Sequence, residues 1–289
     1  DPTVWIVQMT TVGEVTHMSS NRISLNSTSI LRLLGGIAFL LLIANIAGLL
    51  IFYLSSFTWL YSISLFFIFD YEQNVPTFFS ALLLITASLI LAIIAAIEKK
   101  RSASQVVYWA FLSLGFLLMG FDELFCLHER LIKPMNRLLG SDNLGFFHFS
   151  WVIPAMFLIA VLAGFYTKFV FSLHSKTRFT FLTAAIIYIG GCIGFELVGG
   201  KCAELHGVLS LSYNISAIVE ELMEMAGVIL FIYGLLEYVA DNYEAVYFHV
   251  SGCSESRETS TRDKACVQGE TNEDWGQGQQ RRLKWIEQK

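Results

Sequence analysis

The sequence predicts an all-α protein: a six-helix transmembrane bundle followed by a disordered polar tail. Three observations carry that reading. The 289 residues are 55% hydrophobic and only 15% charged, where soluble domains carry about 25% charged residues. Mean hydropathy is +0.58. Six apolar runs are each long enough to cross ~30 Å of hydrocarbon as a helix.

The runs fall near residues 33–56, 77–97, 105–127, 146–167, 179–199 and 213–236. The first is too long for the core of a signal peptide and is followed by no small-residue cleavage motif, so it reads as a retained span. In the fourth, Pro154 is expected to bend the helix just inside His148. In the fifth, Gly190 and Gly194 form a small-residue stripe suited to close helix packing. Residues 31–240 thus form the membrane domain. Residues 1–30 are expected to be a cytoplasmic N-terminal segment, with Met18 a candidate natural start. From Ser251 the chain turns to "SGCSESRETSTRDKACVQGETNEDWGQGQQ". That composition cannot bury enough apolar area to offset its ordering entropy, so residues 251–289 are expected to be a disordered cytoplasmic tail. Five cysteines form no C-x-x-C pair and suggest no disulfide framework.

Six spans place both termini on one side. That side carries Arg22, Arg32, Lys99, Lys100, Arg101, Lys168, Lys176 and Arg178, against Arg130, Lys133, Arg137 and Lys201 opposite. The positive-inside bias therefore predicts cytoplasmic termini, and the expected location is a bacterial cytoplasmic membrane, which the family resemblance given below implies.

The acids then fall on the other side. Span 3 ends in "GFDELFCLHERL", with Asp122, Glu123, His128 and Glu129. His148 precedes span 4, Glu196 lies near the outer end of span 5, and "VEELMEM" places Glu220, Glu221 and Glu224 in the first turns of span 6. Carboxylates inside a span are costly, at ~2.5–3.5 kcal/mol each near the centre even on lenient scales. With few local Lys and Arg, they must be hydrated, protonated by mutual repulsion or neutralised by a bound cation.

This pattern predicts a divalent-cation pocket in the extracytoplasmic leaflet. Asp122, His128, Glu129, His148, Glu196, Glu220 and Glu224 are its candidate metal ligands, and Glu123 and Glu221 would orient them. Imidazole mixed with carboxylate suits Zn, Fe or Mn. In its sharper form the protein is a metal-dependent enzyme acting on a lipid-like or extracytoplasmic substrate, with Glu220, Glu224 and Asp122 as catalytic acids or bases. Two other functions fit the same acids: a proton- or cation-coupled transporter and a non-catalytic membrane partner protein. The expected partner is the lipid bilayer, with no nucleic acid.

Plainer roles compete at several positions. Asp70, Asp142 and Glu204 read as rim acids facing water, and Glu123 as an ion pair to Arg130. His206 reads as a loop residue and His148 as an interfacial histidine beside Trp151. Cys126 and Cys192 read as packing residues; Tyr108, Trp109 and Trp151 read as interface-belt aromatics. The metalloprotease pattern H-E-x-x-H, the H-x-x-x-H boxes of membrane desaturases, G-x-S-x-G and a lysine within a span are all missing from the sequence.

Three segments, "FDYEQNVPTFFSALLL", "GFDELFCLHERL" and "VEELMEMAGVILFIY", together resemble a group of uncharacterised bacterial multi-pass membrane proteins. In that group a D-E-x-x-x-x-H-E signature closes one span and paired glutamates open a later one. The resemblance covers about residues 30–240 and implies a helical membrane fold without an activity.

Overall fold

The computed structural model describes residues 5–10, 26–54, 58–101, 104–140, 144–243 and 247–252. Most of the tail expected at 251–289, and Met18 with the segment around it, lie outside the described residues. Two short strands, β1 (Trp5–Thr10) and β2 (Tyr247–Gly252), pair as a two-stranded sheet. Between residues 27 and 242 every regular element is helical.

Helix α1 (Ser27–Leu54) opens where Asn26 Oδ1 accepts the Thr28 N–H at 3.0 Å. A short helix, α2 (Thr58–Ser64), follows. Helix α3 (Val75–Lys100) is capped by Asn74, whose side chain accepts from the Thr77 N–H at 3.0 Å, with Pro76 in its first turn. Helix α4 (Val106–Phe125) stops at Cys126, which takes the left-handed conformation at φ 49°. A 3₁₀ turn and α5 (Ile132–Leu139) form the connection to α6 (Val152–Ser172). Helix α7 (Ser175–Ile189) runs through a π-helical turn, Gly190–Phe195, into α8 (Glu196–His206). Helix α9 (Leu211–Asn242) is the longest, at 32 residues, about 48 Å at 1.5 Å per residue.

Five helical segments are long and apolar enough to cross a membrane: α1, α3, α4, α6 and the continuous α7–α8 rod. Helix α9, expected as the sixth span, has the length but carries its acids within it. It packs against α1, α3, α7, the π turn and α8. Met225, Val228, Ile229, Ile232 and Leu235 of α9 are all at most 4% exposed, so this helix is the bundle's central post. Outer helices instead display Phe39, Leu82, Phe111, Phe157, Phe171 and Ile186, all exposed. A bundle apolar on its outside as well as its inside is built for lipid.

Two expectations need correction. The fourth span begins at Val152 rather than 146, because 145–147 is a separate 3₁₀ turn with His148 at its end. Pro154 consequently falls in the first turn of α6, where its missing N–H has no helical acceptor to lose, and it causes no bend by that route. The glycine stripe is also shifted, since the π turn re-registers the face. A Cβ on Gly191 would sit 2.8 Å from the Glu220 carbonyl oxygen, whereas one on Gly194 would meet nothing within 4 Å.

One end of the bundle is tied by polar contacts between helix ends. Lys176 Nζ lies 2.6 Å from Glu237 Oε2, and the Ser27 hydroxyl donates to the same carboxylate. Tyr243 donates to the buried Glu98 at 2.6 Å beneath the Arg101 guanidinium. The acids of the candidate site gather at the opposite end.

Candidate functional site

Nine carboxyl groups and one imidazole line a single cavity of about 140 Å³. Asp70 and Glu72 come from the loop before α3, and Asp122 and Glu123 from the last turn of α4. His128 and Glu129 follow the Cys126 reversal. Glu196 is the first residue of α8, directly after the π turn, and Glu220, Glu221 and Glu224 project from α9. No Lys or Arg lines this cavity. Asp70, Glu72 and Glu129 are exposed, while the other six acids and His128 are half-buried. The exposed three therefore form the mouth.

Local backbone geometry brings the α4 residues in. The left-handed Cys126 turns the chain back so that Asp122 Oδ1 accepts the His128 N–H at 2.8 Å, and Asp122 Oδ2 meets His128 Nδ1 at 2.8 Å. Trp151 packs tilted against the His128 ring, 4.5 Å between centroids and 50° between planes, and its Nε1–H donates to Glu196 Oε1 at 2.7 Å. Glu196 and Glu220 approach each other across the cavity. Tyr213 donates to Asp70 Oδ1 at 2.6 Å, and Tyr188 lines the cavity with Glu224.

Electrostatics at the mouth follow from crowding. Burial, with the nearby Glu196 and Glu72 charges, raises Asp70 from the ordinary 3.8 to about 6, and the Tyr213 donor offsets only part of this. Burial also raises Glu72. Burial and the hydrogen bond to Glu72 push the Cys126 thiol up to about 12, so this sulfur stays neutral. Burial alone would lower His128, but the Asp122 hydrogen bond and charge outweigh it and leave the imidazole raised.

All but one of the predicted site residues meet here: Asp122, His128, Glu129, Glu196, Glu220 and Glu224, with Glu123 and Glu221 beside them. His148 does not line the cavity. It packs edge-on to Phe149 at 5.0 Å and against Gly200, and its buried Nδ1 has no hydrogen-bond partner. Glu204 pairs with Lys201 at 3.6 Å, also away from the cavity. Glu123 faces the cavity rather than pairing with Arg130. Asp142 lies outside the described residues.

Four contributors are not among the candidate ligands that the sequence offers. Asp70 reads as a water-facing rim acid yet lines the mouth, and Glu72 stands beside it. Trp151 reads as a belt aromatic yet donates to Glu196. Tyr213 carries no signal beyond its place near the start of α9.

Among the described residues, no three His, Cys, Asp or Glu side chains are grouped to hold one metal ion. Several donors are engaged within the protein: Asp122 with His128, and Glu196 with Trp151. What the arrangement can do is hold and exchange protons. It contains an aspartate-oriented imidazole beside closely spaced carboxyl groups, the groups used in general acid–base chemistry.

A family model described as "Domain of unknown function (DUF8692)" matches residues 28–239, and the chain belongs to that family. The match spans α1 to the last turn of α9 and so includes every acid of the cavity. No curated protein and no solved structure matches the chain.

Proposed function

For this DUF8692 member, we propose an integral membrane protein of six spans that binds a cation in the acidic cavity, entered from the extracytoplasmic side. One observation carries the reading: nine acids line one cavity and no Lys or Arg lines it. Half-buried carboxylates without basic partners are stabilised by a counter-charge, and a ligand is the available source. Helix α9 acts as the sixth span, its acids kept off lipid by its central position.

Orientation is supported by the basic residues at the far ends of the helices. Lys99, Lys100 and Arg101 close α3, while Lys176 and Arg178 open α7. The inward side of the cavity supports binding over transport. A neighbouring space of about 10 Å³ shares Tyr188 and Glu224 with it and is otherwise lined by Ser80, Leu83, Leu84, Met225 and Val228.

In this reading Glu220, Glu221 and Glu224 supply most of the charge, while His128, held by Asp122, moves protons at the mouth. Calorimetric titration of the detergent-purified chain with Mn²⁺ and with ethylammonium, beside elemental analysis, tests the proposal. Saturable binding of a cation that falls at least tenfold in a Glu220→Gln, Glu221→Gln double variant is expected. No binding of either cation would overturn it.

A further inference from the structure

The connection between α4 and α6 carries basic residues that the acidic cavity does not use. Arg130 lies in the 3₁₀ turn Glu129–Leu131, and Lys133 and Arg137 lie on α5. All three are exposed, and none has an ion pair among the described residues. Lys176 and Lys201, by comparison, each lie beside a carboxylate. Glu129 precedes Arg130, but it stands at the mouth of the acidic cavity.

Helical geometry sorts this segment by chemistry. Lys133 and Arg137 stand one turn apart on one face of α5. Ile132, Met135 and Asn136 are half-buried and form its inward side. Buried Ser150 pins that side: its hydroxyl lies 3.2 Å from the Ile132 carbonyl oxygen and donates to Asn136 Oδ1 at 2.5 Å. Leu131 and Leu138 are 48% and 79% exposed. At 3.6 residues per turn, Leu138 is rotated about 100° from Arg137 and about 140° from Lys133. A cationic edge and an apolar edge therefore run side by side along the exposed part of α5.

Connectivity fixes the depth of this helix. Both α4 and α6 are long and apolar enough to cross a membrane. Helix α5 has eight residues, about 12 Å, too short to cross ~30 Å of hydrocarbon. It lies where the two spans leave the bilayer, the level at which leucines enter the acyl layer and cations reach headgroups. A soluble acidic partner would meet the cations but would have to displace lipid from Leu131 and Leu138.

We propose that α5 and the 3₁₀ turn before it form a binding surface for anionic phospholipid. Arg130, Lys133 and Arg137 meet the headgroup phosphates, and Leu131 and Leu138 enter the acyl layer. The surface stands apart from the acidic cavity and does not depend on what that cavity binds. A cation near a negatively charged bilayer surface strengthens association about fivefold, and three of them give the surface its lipid preference.

The test is photo-crosslinking of the full chain in nanodiscs of phosphatidylcholine, doped with a diazirine-bearing phosphatidylglycerol or phosphatidylcholine. Labelled positions are mapped by mass spectrometry after pepsin digestion. In the unaltered protein, residues 127–139 should take at least about fivefold more label from phosphatidylglycerol than from phosphatidylcholine. An Arg130→Gln, Lys133→Gln, Arg137→Gln triple variant should bring the two lipids to parity while still being labelled. Glycerol phosphate in excess, at matched ionic strength, should not displace the lipid. Equal labelling of the unaltered protein by both lipids would overturn the proposal, as would a preference that survives in the triple variant. Displacement by glycerol phosphate would assign the cations to a free phosphate instead, and no label in residues 127–139 would place α5 away from the bilayer; either result also overturns it.

Discussion

Asp122 holds His128 at two points, accepting its backbone N–H through Oδ1 and meeting Nδ1 through Oδ2, each at 2.8 Å. One carboxylate thus fixes the turn after α4 and the tautomer of the ring it presents to the cavity. Both side chains are about a third exposed, so solvent screening limits the stabilisation to about 1 kcal/mol.

Replacing Asp122 with Asn should lower the His128 pKa, because the Asp122 bond and charge are what raise it. A raised histidine stabilises the fold fully below its unfolded value of 6.5, and that contribution is lost as pH rises through the folded value. Asp122→Asn should therefore destabilise the protein mainly on the acid side. Histidine-selective NMR titration and thermal unfolding at pH 5.5 and 8.5 check both parts; an unmoved His128 would contradict them.

Cation binding should strengthen as pH rises from 5 to 7. Asp70 sits at about 6 rather than 3.8, so the fold gains from its protonated form below about 4 and loses that gain as it ionises through about 6. A bound cation favours the ionised form. Asp70→Asn should flatten the rise, as measured by calorimetry across that range.

Gly191 and Gly227 mark where α7 and its π turn press on α9. A Cβ would fall 2.8 Å from the Glu220 carbonyl oxygen in the first case and 2.8 Å from the Tyr188 backbone nitrogen in the second. Either change to Ala should destabilise by about 1–3 kcal/mol, and Gly191→Ala should also weaken cation binding by displacing Glu220. Gly194→Ala, with open space around it, should leave the melting temperature within about 2 °C of the unaltered protein, since one mild surface change is worth ~0.5 kcal/mol.

Asn45 is 1% exposed, and its Oδ1 accepts the Phe69 N–H at 2.9 Å. This bond sets the loop that delivers Asp70 to the cavity mouth. Asn45→Leu should leave that N–H unsatisfied and cost about 1–3 kcal/mol, read as a lower thermal midpoint in detergent.

Much of this architecture is legible in the chain. The apolar runs locate the helices because a span must be apolar throughout its lipid-facing length, which leaves an unambiguous stretch of sequence. The convergence of Asp122, Glu196, Glu220 and Glu224 follows from their shared depth. Other features depend on backbone events that periodicity does not encode. The π turn at 190–195 rotates Glu196 relative to a straight helix, and the left-handed Cys126 folds His128 back under Asp122. His148 stays off the cavity lining because span 4 starts later than its apolar residues suggest. Trp151 and Tyr213 resemble ordinary interfacial aromatics until their polar atoms are seen to meet Glu196 and Asp70.

The central claim is that the clustered carboxyl groups answer to one bound cation. The most direct measurement is ethylammonium titration at pH 7 in two buffers of different ionisation enthalpy. That comparison counts protons released on binding as well as affinity. Saturable binding with net proton release, lost when Glu220 and Glu221 are both changed to Gln, is the predicted result. Binding without proton release, or binding indifferent to those two glutamates, would contradict the account.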